Sequence, residues 1–182
     1  MFPTYVLTPD IEDHCYRWAN RFDLSKHRHP GNEYERAMGR FGECCVSTYI
    51  KAQGLNVRPG PDFGVDLIWI TDTDNIGIEC KTKVQRLKPR TTFNVTVDSE
   101  NYAKQSTKAA LYVFTFVYPN GRETLCSVVG FELSSVIANW EWFDKGDTYP
   151  ESGHVLRYPT YRHQIDGIKP VNVLKHYGHA RV

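Results

Sequence analysis

The sequence contains no apolar run approaching the roughly 18 to 20 residues of a membrane-spanning helix, so no membrane span is expected. Its opening residues, Met1-Phe2-Pro3-Thr4-Tyr5, carry neither the basic nor the apolar region of a secretory leader, and a cytoplasmic location is the expectation. No Cys-x-x-Cys pair occurs. The five cysteines are Cys15, Cys44, Cys45, Cys80 and Cys126, an odd set with two adjacent members. That pattern argues against a disulfide framework and leaves thiols that pack as small apolar side chains. Neither G-x-x-x-x-G-K followed by Ser or Thr, nor G-x-G-x-x-G, is present, so no nucleotide cofactor is expected. An excess of one charge is missing too. Lys and Arg number 22 against 21 Asp and Glu, a formal net charge of +1, so bulk charge is silent about a polyanionic partner.

Internal repeats, low-complexity tracts and Pro/Gly/Ser linkers are also lacking. One domain spanning residues 1–182 is therefore expected, with a core at about 31–140, an N-terminal helical extension over 1–30 and a C-terminal extension over 141–182. What the chain does have is an ordinary globular balance, 41% hydrophobic and 24% charged, with 13% aromatic residues to fill a core. Residues 10–22 read as a helix with Thr8 or Asp10 as N-cap. A longer helix runs from an Asn32 cap to about residue 53, with Ala37, Phe41, Cys45, Thr48 and Tyr49 on one face and Gly54 at its stop.

After Gly54 the pattern becomes short β-branched and aromatic runs, at 55–58, 65–71 and 76–84, the last two joined as a hairpin. Residues 98–110 read as a helix again. Residues 111–118 form the strongest strand, and Pro119-Asn120-Gly121 turns it toward another at 123–131. A short helix is expected at 132–140, a strand near 155–158 and a helix over 171–176. This order predicts an α/β fold, a mixed central β-sheet flanked by helices.

Chemistry concentrates in Pro61-Asp62-Phe63-Gly64-Val65-Asp66 and in Ile78-Glu79-Cys80-Lys81. Strand alternation puts Glu79 and Lys81 on one face, with Ile78, Cys80 and Thr82 on the other, where a helix can cover the first two. Asp66 opens the preceding strand, so the hairpin brings it close to Glu79. Two carboxylates repel unless a cation sits between them. A hard divalent ion with water and phosphate oxygens suits such a pair. An ammonium beside it can hold the attacking water or neutralise charge building on a phosphate.

Pro61-Asp62 followed by Glu79-Cys80-Lys81, with Gly39-Arg40-Phe41-Gly42-Glu43 on the earlier helix, resembles the PD-(D/E)xK, or restriction-endonuclease-like, nuclease superfamily. In motif style it is nearest to Holliday-junction resolvases and Mrr-type nucleases. The resemblance covers about residues 39–118 and implies an αβββαβ core. It also implies a Mg²⁺- or Mn²⁺-dependent endonuclease acting on duplex or branched DNA. By resemblance Asp66 and Glu79 ligate the metal, the Cys80 backbone carbonyl is a further ligand, Lys81 positions the nucleophilic water and Glu43 assists from the helix. Asp66 is preferred because it leads directly into the apolar strand; Asp62, after the literal proline, stays the alternative. Gln105, on the later helix, is a further candidate for supporting the site.

Charge is segregated along this stretch. Residues 61–79 hold five acids and no base, whereas residues 81–90 hold five bases (Lys81, Lys83, Arg86, Lys88 and Arg90) and no acid. An acidic pocket followed by a basic lip suits a polyanionic substrate, so Lys83, Arg86, Lys88 and Arg90 are candidate nucleic-acid contacts. A homodimer is compatible with an enzyme that nicks two strands. The alternative function is a non-catalytic nucleic-acid-binding module that keeps the fold.

Overall fold

The computed structural model describes residues 1–21, 31–61, 64–149, 153 and 155–178. In chain order they form β1 (Thr4–Val6), α1 (Pro9–Asn20), α2 (Glu33–Ala52), β2 (Asn56–Pro59), β3 (Leu67–Ile70), β4 (Asn75–Val84), β5 (Asn94–Asp98), α3 (Ser99–Gln105), β6 (Leu111–Asn120), β7 (Glu123–Leu133), α4 (Ser134–Ile137), β8 (Glu141–Phe143) and β9 (Thr160–Gln164). Two 3₁₀ segments follow, Ile165–Gly167 and Val171–Gly178. The order α2, β2, β3, β4, α3, β6 is the expected αβββαβ core, with β5 inserted ahead of α3. No helix among the described residues is long and apolar enough to cross a membrane.

Six strands make a mixed sheet in the order β1-β7-β6-β4-β3-β2. Every neighbouring pair is antiparallel except β4 and β6, which run parallel. A parallel pair needs a crossover, and the chain supplies one through β5 and α3. A second, antiparallel sheet has the order β5-β9-β8.

The largely apolar character of residues 111–118, broken only by Thr115, follows from burial on both faces. Leu111, Val113 and Val117 join Ala37, Met38, Phe41, Cys45 and Ile50 of α2 in one cluster. Tyr112, Phe114 and Phe116 join Val95 and Val97 of β5, Trp140 and Ile165 in another, beneath the small sheet. The central strand pair is thus sandwiched between helices and a second sheet.

Helix α2 starts at a reciprocal cap. The Glu35 amide donates to Asn32 Oδ1 at 2.8 Å, and the Asn32 amide donates to Glu35 Oε2 at 3.0 Å. Its seat on the sheet depends on Gly42, where an added Cβ would stand 2.1 Å from Thr82 Oγ1 and 2.6 Å from Thr115 Oγ1. Those hydroxyls form a chain: Thr115 donates to Thr82 at 2.9 Å, and Thr82 donates to the Gly39 carbonyl at 3.4 Å.

Several expectations need correction. Thr48 is exposed, not part of the α2 core face. Helix α3 stops at Gln105, short of the expected end at residue 110. The helix expected over 132–140 shrinks to α4, because residues up to Leu133 stay paired with β6. The late strand is β9, a few residues beyond 155–158, and the last helix is 3₁₀ in form. Strands β1, β5 and β8 are additions that the sequence pattern does not announce. The regions beyond 140 are built into the fold: β9 pairs with β5, and Lys169 forms an ion pair with the buried Glu132 of β7.

Candidate active site

The geometry begins where β3 ends. The β3–β4 ladder covers Leu67↔Ile78 through Ile70↔Asn75, so from Glu79 onward β4 outruns β3 and its edge is open among the described residues. The Cys80 amide points to that edge, where it would lack a partner. Asp66 supplies one: its Oδ2 accepts from the Cys80 N–H at 2.7 Å. An extended residue directs its N–H and C=O to the same side, so the Cys80 carbonyl faces the same open edge. Asp66 itself is aimed by a tight return of the chain. The Gly60 amide donates to the Asp66 carbonyl at 2.9 Å, and a Cβ on Gly60 would fall 1.7 Å from the Val65 carbonyl oxygen.

Glu79 and Lys81 share a face as alternation requires, and Lys81 Nζ donates to Glu79 Oε1 at 2.8 Å. Glu79 is only 5% exposed. Its other oxygen, Oε2, is buried and has no hydrogen-bond partner among the described residues. A buried carboxylate oxygen without a donor is costly unless a cation or water reaches it.

Electrostatics tie the acids together. Burial above all, then the charges of Glu79 and Glu43, push the Asp66 carboxyl well above its ordinary range; Lys81 and the Cys80 amide pull the other way. Burial likewise raises Glu43, with Arg40 opposing it and Glu79 adding to the rise. Arg40 Nη1 meets Glu43 Oε2 at 2.6 Å, one helical turn away, and its guanidinium lies 5.5 Å from the Trp18 ring centre. Burial raises the Cys80 thiol, which suits a packed side chain and not a nucleophile.

Asp66, Glu79, Lys81 and the Cys80 backbone therefore converge at one open strand edge. Glu43 approaches differently. Helix α2 covers the Cys80 and Thr82 face of β4, so Glu43 reaches the cluster by charge from the far side, with Arg40 as its bonded partner. Asp62 lies outside the described residues. Gln105 ends α3 with its side-chain oxygen buried and unbonded. Lys83 continues the Lys81 face; its Nζ donates to the Asn94 carbonyl at 3.3 Å and lies 5.9 Å from the Phe116 ring centre. Arg86, Lys88 and Arg90 lie on the loop between β4 and β5, where Arg86, Lys88 and Arg90 all face solvent. A cavity of about 120 Å³ between β4, β5 and β6 is lined by Lys81, Lys83, Thr96, Phe114 and Phe116, among others.

Among the described residues, no group of three or more His, Cys, Asp and Glu side chains is arranged to hold a metal ion. Two carboxylates with a backbone carbonyl remain an apt all-oxygen set for Mg²⁺ or Mn²⁺, which keep several waters. The unbonded Glu79 oxygen and the mutual repulsion of Asp66 and Glu79 fit such an ion.

Sequence reasoning missed Arg40 and Tyr112. The Arg40-x-x-Glu43 spacing is a readable signal of a helical ion pair. Tyr112 is hidden inside an apolar run, although its register partner on β4 is Glu79.

Neither a protein-family model nor a curated protein matches this sequence. Among solved structures the chain is similar to Hjc, a Holliday junction resolvase from the archaeal hyperthermophile Archaeoglobus fulgidus. The two share 11% identity over 69% of this chain and 83% of the resolvase, with a TM-score of 0.39.

Proposed function

We propose that the protein is a Mg²⁺- or Mn²⁺-dependent endonuclease that hydrolyses DNA phosphodiesters at the open edge of β4. The observation that carries this is the meeting of Asp66, Glu79 and Lys81 at that edge, with one Glu79 oxygen buried and unbonded. Asp66, Glu79 and the Cys80 carbonyl would hold the ion. When bound, such an ion supplies an acidified water and neutralises phosphate charge.

The chain's own groups do the rest. Lys81, already directed at Glu79, holds the attacking water and offsets charge building on the phosphate. Glu43 steadies the water network from the helix side, with Arg40 keeping its carboxylate in place. Lys83, with Arg86, Lys88 and Arg90 beyond it, lines the path of the polyanion and supplies most of the affinity by neutralising phosphates. Duplex and branched DNA both fit an open edge flanked by a basic loop, and a homodimer would present two such edges.

The test is cleavage of plasmid and four-way branched DNA with Mg²⁺, Mn²⁺ or EDTA. Wild type is expected to cut only with metal. Glu79→Gln and Lys81→Ala are expected to lose at least about a hundredfold in rate, the scale of removing a charge-stabilising group, while still binding DNA. Metal-independent cutting, or full activity in both variants, sinks the reading. DNA binding with no cleavage by wild type under any metal would instead establish the non-catalytic binding module.

A further inference from the structure

We propose that Tyr112 is a positioning residue of this site, its hydroxyl orienting the Glu79 carboxylate through one bridging water. This rests on the nuclease reading above and names a group that the sequence motif does not contain.

Four observations converge. The parallel β4–β6 register places Tyr112 opposite Glu79 on the two central strands. The Tyr112 ring centre lies 5.9 Å from Lys81 Nζ, the ammonium that bonds Glu79. Tyr112 is fully buried, at 0% exposure, yet its hydroxyl has no hydrogen-bond partner among the described residues. Glu79 Oε2 is likewise buried and unpartnered. A donor without an acceptor and an acceptor without a donor thus sit on register-paired residues of one sheet face.

Packing alone would choose otherwise. The next two residues on that face of β6 are Phe114 and Phe116, both buried in the same apolar cluster. Phenylalanine at 112 would fill the same volume without burying an unsatisfied hydroxyl, which is unfavourable in an apolar surround. Tyr102 holds the ring from the other side, its centroid 6.0 Å away and its own hydroxyl donating to the Ser134 carbonyl at 2.9 Å. The phenol is therefore fixed in place. A phenol is protonated at neutral pH, so it acts as a donor and not as a base.

The experiment compares full-length wild type with Tyr112→Phe, a change that removes one oxygen and keeps the ring. Three readouts are taken: the cleavage rate and KM for branched DNA, Mn²⁺ affinity by electron paramagnetic resonance without DNA, and the melting temperature of the metal-free protein. A positioning role predicts a rate about tenfold lower at unchanged KM and Mn²⁺ binding about tenfold weaker, the scale of losing a group that orients a metal ligand. The melting temperature should change by no more than about 4 °C, since the ring and its packing are kept and at most one hydrogen bond is lost. Unaltered rate and Mn²⁺ affinity overturn the proposal, as does a marked fall in melting temperature, which would assign the hydroxyl to the core. If wild type binds Mn²⁺ but cuts nothing, the nuclease reading falls alone and the affinity readout decides the role of Tyr112. A wild type that does neither removes both.

Discussion

Replacing Gly42 by alanine puts one methyl group where α2 rests on β4 and β6. The new Cβ would sit 2.1 Å from Thr82 Oγ1 and 3.2 Å from Thr82 Cβ, whereas ordinary contact begins at 3.4 Å. Rotating Thr82 offers no full escape, because its Cβ stays 3.2 Å away and Thr115 Oγ1 still stands at 2.6 Å. Overpacking of this sort costs about 1–3 kcal/mol. Breaking the Thr115–Thr82–Gly39 chain adds about 1 kcal/mol, and the better helix propensity of alanine returns about 1 kcal/mol. The net loss is about 1–3 kcal/mol, or a melting temperature lower by about 3–10 °C for a domain of this size. Gly39 is the control on the same helix: a Cβ there meets nothing within 4 Å, so Gly39→Ala should gain up to about 1 kcal/mol. Urea and thermal unfolding of the metal-free protein measure both. A Gly42→Ala protein as stable as wild type, or two variants that shift alike, would refute the view that this close approach seats the helix. Because Glu43 is the next residue, the same displacement should lower any cleavage rate more than Gly39→Ala does.

The raised Asp66 and Glu43 carboxyls set a pH dependence. Their contribution to stability is fully present below the unfolded values, near 3.8 and 4.5, and is lost as pH rises through the folded ones. Metal-free protein should therefore lose stability from weakly acid toward neutral pH; Asp66→Asn, which can still accept from the Cys80 amide, should be the more stable protein at about pH 7.5. Melting curves across that range with and without Mn²⁺ check this, and an Asp66→Asn protein that is less stable at neutral pH contradicts it. Replacing Arg86, Lys88 and Arg90 together with serine should weaken DNA binding and make the plot of log affinity against log salt shallower by up to about 2.7, roughly 0.9 for each phosphate no longer neutralised. A salt slope equal to that of wild type would remove the loop from the interface.

Local signals carried the core. The Asn32 cap, the period of Ala37, Phe41, Cys45 and Tyr49, and the hairpin ending at Glu79 and Lys81 each rest on neighbours in sequence, and each is present. Thr48 misled because a hydroxyl can finish an apolar stripe from the solvent side. Strand β5 was invisible because its partner, β9, lies more than sixty residues away, and a five-residue strand paired only at that distance has no local turn to announce it. The site divides similarly. Alternation alone gives the shared face of Glu79 and Lys81, and the hairpin gives Asp66. That Asp66 bonds the Cys80 amide, and that Tyr112 lies across from Glu79, depends on where β3 stops and on a parallel register set by the crossover through α3.

The late pairing of β5 with β9 also orders events during synthesis. Strands β3, β4 and β6, with the carboxylates and Lys81, leave the ribosome well before Thr160–Gln164, which β5 needs as its partner. Until then Tyr112, Phe114 and Phe116 have no completed small sheet over them. A product truncated before β9 would carry every motif residue yet leave β5 without its partner, so residues far outside the motif complete the layer over the face that holds Glu79 and Lys81.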